Sequence, residues 1–291
     1  MNSLSKSNLS YCGAELRRHD HDRFLTCLFA PAERREALFA LYSFNLEVAR
    51  TAEVVSEAMI GQIRLQWWRD ALEQIYAGTP RQHQVVQPLA EAVRAHDLSR
   101  AHFERLIDGR AFDLDPDPPQ SLAALEDYAE ATGASLLWLA LETLGVTANA
   151  GEAVAETAFG AGRHVGVAWA LTGLLRAVPF HAQQKRLYLP ADLCARHGVS
   201  SGVLFELRSS SGLAQAVAEI AGRAQFHLDE ARRLQDRTPA AARPALLLAT
   251  LADGHLKTLR HVAYDPFAPA VQAKAPARAW RLTWAALRRR F

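Results

Sequence analysis

Cysteine is scarce in this 291-residue chain: Cys12, Cys27 and Cys194 are odd in number and lack metal-ligand spacing. That argues against a disulfide framework or a cysteine-based metal site and fits reduced thiols in a reducing compartment. An excess of either charge is also missing. The formal net charge is +2, without the clustered basic surplus of a nucleic-acid binder, so no nucleic-acid partner is expected. No apolar run approaches the ~18 residues that span a bilayer. Residues 1–10 are polar and hold no apolar core of a secretory signal, and Glu15 and Asp20 count against an organelle transit segment. Sustained period-two alternation with β-branched residues is absent as well, so strands are not expected.

What the chain does have is helical periodicity. Hydrophobic residues at 49% and charged residues at 22% are ordinary for a protein with a sizeable core. The spacing predicts helices over His19–Phe29, Pro31–Val55, Gln62–Tyr76, Val85–Ala95 and Arg100–Phe112, with Ser56 marking a turn. Ser121 caps a helix running to Gly145. A longer one covers Glu152–Val178 and stops at Pro179. Pro190–His197, Leu213–Leu234, Ala241–Tyr264 and, after a Pro/Ala-rich linker over Asp265–Pro276, Ala277–Arg290 complete the set. The Trp67-Trp68 pair reads as core packing. The His19-Asp-His-Asp22 cluster reads as solvated surface, since adjacent helix residues do not share a face. Asp113–Pro119 reads as an extended surface loop. With no repeat and no dividing linker, the expectation is one all-α domain over residues 19–291 behind a flexible segment, 1–18.

The stretch Gly166-Val-Ala168-Trp-Ala-Leu171-Thr172-Gly173-Leu-Leu175-Arg176-Ala177-Val-Pro-Phe-His181, followed by Arg186-Leu-Tyr188-Leu189-Pro190, resembles the active-site helix of the squalene and phytoene synthases. In those head-to-head prenyl transferases the run reads roughly G-x-A-F-Q-L-T-N-x-x-R-D-x-x-x-D, then a basic loop and R-x-Y-L-P. The frame is retained, but Gly173 stands at the Asn position and Ala177 and His181 stand at the two Asp positions. The first acidic motif, D-D-x-x-D after Tyr-x-Phe, corresponds to Tyr42-Ser-Phe44 followed by Ala49, Arg50 and Glu53, so only Glu53 keeps its acid.

The resemblance implies an isoprenoid-synthase-type helical bundle around a central cavity, with Tyr42, Leu46, Ala49 and Glu53 on one stripe facing it. The family's enzymes clamp diphosphate through Mg²⁺ held by both acidic motifs, because Mg²⁺ takes hard oxygen ligands. One carboxylate does not make such a cluster. No metal or cofactor is therefore expected, Mg²⁺ entering only if the chain is an active transferase. Tyr42, Glu53, Arg176, Lys185, Arg186 and Tyr188 remain as candidates for a vestigial anion-binding cavity. Three runs, Ala40–Arg50, Ile60–Arg69 and Tyr188–Ser200, are similar to the non-catalytic branch of the family that assists assembly of respiratory complex I. That branch implies a complex I subunit or assembly intermediate as partner. The alternatives are an active prenyl transferase or an isoprenoid- or lipid-binding protein. The expected location is cytoplasmic, with peripheral contact on the inner membrane, on the matrix side in a eukaryote. In the last helix Trp280, Trp284, Leu287 and Phe291 fall at i, i+4, i+7 and i+11 on one face, with Arg288, Arg289 and Arg290 beside them. This face either meets a membrane or packs on the bundle.

Overall fold

Ser10, Asp20, Ser121 and Ser210 each turn a side-chain oxygen onto a backbone N–H one turn ahead, and each starts a helix. These helices belong to a computed structural model that describes residues 9–55, 57–147, 151–273 and 277–291; no strand occurs among them. The elements are α1 (Tyr11–His19), α2 (His21–Cys27), α3 (Ala32–Ala49), α4 (Thr51–Val54), α5 (Ala58–Tyr76), α6 (Val86–His96), α7 (Arg100–Ala111), α8 (Leu122–Ala129), α9 (Ser135–Thr143) and α10 (Glu152–Gln183). Then come α11 (Ala191–Arg196), α12 (Ser201–Phe205), α13 (Ser211–Arg233), α14 (Arg243–Leu246), α15 (Leu248–His261), α16 (Pro269–Gln272) and α17 (Arg278–Leu287). The predicted turn marker Ser56 and the linker end at Pro276 lie outside the described residues.

Helix α10 organises the bundle. Its apolar residues are spread around the whole circumference, which is the pattern of a helix buried on all sides. It packs on α9, α13 and α15. By length and composition it is apolar enough to cross a membrane, yet half of its most apolar window is buried inside the protein. A single π-helical turn, Glu130–Ala134, between α8 and α9 also packs on it. There Gly133 and Gly166 bring two backbones together: a Cβ on Gly133 would lie 2.3 Å from the Gly166 carbonyl oxygen, and one on Gly166 would lie 2.6 Å from Ala134 Cα. Helix α9 also packs on α3, α6 and α7, so it joins the two halves of one continuous core that runs from Cys12 to Phe291. Trp68 is 1% exposed and meets Trp67 edge to face at 5.0 Å, as core packing requires.

Four expectations are corrected. The helical body begins before residue 19: Cys12 and Leu16 of α1 are buried, and Ser43 Oγ donates to the Cys12 carbonyl oxygen at 3.1 Å, while residues 1–8 lie outside the described part. Helix α10 does not stop at Pro179 but carries it inside. The ring removes one helical hydrogen bond, but buried Val178 and Ala182 hold the last turn against the core. It ends instead in a Schellman pattern, with Arg186 N–H donating to the His181 carbonyl at 2.9 Å, Lys185 N–H to the Ala182 carbonyl at 3.0 Å, and Lys185 at φ 54°. The predicted helix Ala241–Tyr264 is broken at Leu247, between α14 and α15. Finally, α17 ends at Leu287, and Arg289 at φ 57° turns the chain so that Phe291 is buried. Phe291 therefore leaves the stripe, while Trp280, Trp284 and Leu287 are 71%, 49% and 74% exposed; the buried residue of this helix is Leu282.

The glycine contact yields a paired prediction. Gly133→Ala and Gly166→Ala each press a methyl into backbone that has no rotamer to yield, and each destabilises by about 2–3 kcal/mol. A Cβ on Gly173 meets nothing within 4 Å, so Gly173→Ala stabilises by about 0.5–1 kcal/mol through helix propensity. Urea unfolding of the three variants checks both signs.

Candidate functional site

Helices α3 and α10 carry the positions the sequence singles out. Both pack on α9 and scarcely touch each other, which leaves a gap between them. Arg23 of α2 bridges it: its guanidinium carbon lies 5.6 Å from the ring centroid of Tyr42 on α3 and 5.8 Å from that of Trp169 on α10. The same guanidinium donates to Asp20 at 2.5 Å. Tyr42 is 1% exposed and is covered rather than presented to a ligand.

The residue preceding Arg23, Asp22, is buried and faces two guanidiniums and an imidazole. Arg278 of α17 donates to it at 2.8 Å, and Arg176 of α10 and His255 of α15 stand at 3.8 and 3.7 Å. Burial opposes the charge on Asp22, but His255, Arg278 and Arg176 outweigh it, and the carboxyl is held below its usual range. Burial pushes His255 down, which favours its neutral form. The expectation that the His19–Asp22 cluster is solvated fails at this residue: His21 faces out and Asp22 faces in.

A second buried carboxylate organises the other side of α10. Asp113, 4% exposed, accepts from the Tyr128 and Tyr188 hydroxyls at 2.8 Å each and from Arg110 at 3.2 Å, and Arg110 also donates to the Tyr128 oxygen at 2.7 Å. Arg186 donates to the Asp113 backbone carbonyl. Burial and the neighbouring carboxylate push both tyrosines well up, so they remain hydroxyl donors. Asp113 lies in a 3₁₀ turn, Phe112–Leu114, that continues α7, and not in an extended surface segment. The signal available in the sequence was the i, i+3 spacing of Arg110 and Asp113, which fits a continuing helix better than a loop.

The proposed anion-binding set is thereby divided. Arg176 and His181 are five residues apart, ~140° around the helix. Arg176 meets Asp22, whereas His181 packs on Tyr188 with ring centroids 4.4 Å apart. Burial pushes His181 down to about 4, so at neutral pH it is an uncharged ring. Arg186 and Tyr188 belong to the Asp113 node. The expected stripe through Tyr42, Leu46, Ala49 and Glu53 is also split, because Arg50 at ψ 0° interrupts the helix and puts Glu53 on α4. Glu53, Glu57, Lys185 and Arg186 line an open polar cleft of about 500 Å³. Below it an apolar pocket under His181 and Tyr188 has about 10 Å³ of free space, enough for one water.

The donor set in this region does not fit Mg²⁺. Ala49 and Ala177 are half-buried, Arg50 is exposed and stands 3.9 Å from Glu53, and no cluster of three or more His, Cys, Asp or Glu suited to a metal occurs among the described residues. The two exposed carboxylates of the cleft, Glu53 and Glu57, stand beside Arg50, Lys185 and Arg186 and offer a divalent ion too few oxygens.

Two tests follow from this geometry. Asp113→Ala strips the buried Arg110 and two tyrosine hydroxyls of their acceptor and destabilises by about 3 kcal/mol, read by denaturant unfolding. The second concerns His181, whose pKa burial pushes down to about 4 from the ordinary histidine value of 6.5. The unfolded chain takes up its proton first, so this contribution is full above pH 6.5 and is lost as pH falls toward 4, by up to about 3 kcal/mol. His181→Gln flattens the pH profile of the unfolding midpoint in that window; an unchanged slope contradicts the assignment.

Comparison with known proteins identifies the family and the fold. A squalene/phytoene synthase family model matches residues 16–288. Complex I assembly factor 6 of Rattus norvegicus is 36% identical over 264 residues, covering 91% of this chain and 77% of its own. A presqualene diphosphate synthase of Rhodopseudomonas palustris is 29% identical over 211 residues, 72% of each chain. A dehydrosqualene synthase crystal structure has a TM-score of 0.81 at 19% identity, covering 96% of this chain and 94% of its own, which shows the shared all-α fold. The retained frame of α10, the bundle around it and the near-complete family match lead to one conclusion: the chain belongs to the squalene/phytoene synthase family.

Proposed function

We propose that this family member acts in the assembly of respiratory complex I and does not transfer prenyl groups. The observation that carries the reading is the absence of carboxylates where the family's acids stand. Ala49, Arg50, Ala177 and His181 occupy those positions, and Arg23 bridges the gap between α3 and α10. Ionising an allylic diphosphate depends on neutralising the leaving group's charge, usually the largest catalytic contribution, and each ~1.4 kcal/mol lost slows the reaction tenfold. The likeness to complex I assembly factor 6 over 91% of the chain supplies the positive half of the reading. Its partner is then a complex I subunit or assembly intermediate, and its place is the compartment where that complex is built.

Purified protein incubated with Mg²⁺ and farnesyl or geranylgeranyl diphosphate is expected to release no diphosphate above background. Metal-dependent C30 or C40 product at enzymatic turnover would overturn the non-catalytic half. Deletion of the gene lowers assembled complex I and leaves squalene-derived lipids unchanged; the opposite pattern would restore the transferase reading. Glu53→Ala restores complex I in the deleted cells as well as the unaltered chain does, because Glu53 is exposed and pairs only loosely with Arg50. Loss of complementation by a folded Glu53→Ala protein would argue for chemistry at the cleft.

A further inference from the structure

Helix α17 has two apolar faces. Inward, Leu282 is fully buried against the bundle, with Arg278 reaching Asp22 from the same side. At 100° per residue, Trp280, Trp284 and Leu287 fall within an arc of ~60° centred opposite Leu282. They form an exposed ridge, and a ridge of two tryptophans and a leucine left in water is uncommon on a soluble surface.

The charge around this ridge has one sign. Residues 277–291 contain five arginines and no acid. Arg278 is committed to Asp22, which leaves Arg281, Arg288, Arg289 and Arg290 at the surface. Arg288 stacks over the Trp284 ring at 4.2 Å. Between α15 and α17 runs an open groove of about 470 Å³ lined by Lys257, Arg281, Arg288 and Arg290. Its one carboxylate, Asp253, is already paired with Arg232 and Lys257, so the groove presents net positive charge to an incoming anion.

We propose that α17 docks the protein peripherally on an anionic lipid bilayer, with Trp280, Trp284 and Leu287 entering the interface and Arg281, Arg288, Arg289 and Arg290 meeting headgroup phosphates. Tryptophan sits favourably at the headgroup level, where its ring is buried and its N–H stays wet, and basic residues beside it gain from the negative surface potential. A bilayer suits these observations better than an acidic protein. Trp280 and Leu287 project from the fold, with Trp284 at the rim of the groove, and the cations flank them without a fixed pattern of paired acceptors.

The test is sedimentation with vesicles of phosphatidylcholine alone and with vesicles in which phosphatidylglycerol is mixed in to give a surface potential of about −30 mV. It involves no complex I and is therefore independent of the assembly reading. The full chain is expected to pellet with the anionic vesicles and not the zwitterionic ones, with a blue shift of tryptophan emission, and to be released by salt. The double variant Trp280→Ala, Trp284→Ala changes only exposed side chains; it is expected to lose the blue shift and at least about tenfold in affinity. Replacing Arg288, Arg289 and Arg290 by Ser costs about fivefold per residue. Circular dichroism and the unfolding midpoint verify that each variant is folded. A full chain that stays in the supernatant with anionic vesicles, or a folded double-tryptophan variant that pellets equally, overturns the proposal.

Discussion

Asp22, 7% exposed, accepts from the Arg278 guanidinium at 2.8 Å and has Arg176 and His255 within 4 Å. Four helices meet at this carboxylate: α2 carries it, and α10, α15 and α17 each supply a partner. Such a node adds little net stability relative to a well-packed apolar one, because desolvating the charges offsets their attraction. Its effect is on position. Withdrawing Arg278 would leave the buried carboxylate without its hydrogen-bonded guanidinium, which disfavours any placement of α17 that does so. Arg23, next in sequence, is fixed by the same helix start, since Asp20 both caps α2 and accepts from its guanidinium.

The Arg23 guanidinium shows how the family's scaffold holds together where alanine, arginine and histidine stand at the acidic positions. In the enzymes, the acids on two facing helices repel one another until divalent ions join them. In this chain the repulsion is absent, and the gap between α3 and α10 is spanned by a guanidinium that lies over a ring on each side. The scaffold is held by contacts that do not depend on the site, above all the backbone approach of Gly133 to Gly166. The loss of carboxylates therefore leaves the bundle intact. What remains open is the polar cleft by Glu53 and Lys185, at the surface and lined by both signs of charge.

Most of the helices were legible because their signals are local. Ser121 and Ser210 cap as their residue type predicts, and α5 and α13 follow their apolar spacing. Several of the errors share a physical cause: they concern a residue whose state is decided by partners far along the chain. Asp22 is buried because Arg278, 256 positions away, reaches it. Asp113 is buried because Tyr188, 75 positions away, donates to it. Pro179 is tolerated inside α10 because the core holds the residues on either side. Arg176 and His181, close in sequence and in the family pattern, part company through helix geometry alone. Local periodicity correctly put Trp280, Trp284 and Leu287 on one face, but it could not tell whether that face pointed in or out.

The direction of that face follows from the node with which the chain begins. A helix of 10 residues has few contacts with which to fix its rotation, and α17 has Leu282 and Arg278 on one side. Leu282 alone would tolerate some rotation, since the alanines beside it are small. The Arg278–Asp22 bond does not, because turning the helix would pull a guanidinium from a buried carboxylate that also holds α10 and α15. With the inward side fixed at two points, Trp280, Trp284 and Leu287 have no route to the core. The buried ion pair near the gap between α3 and α10 is thus also what keeps an aromatic, arginine-flanked surface facing outward.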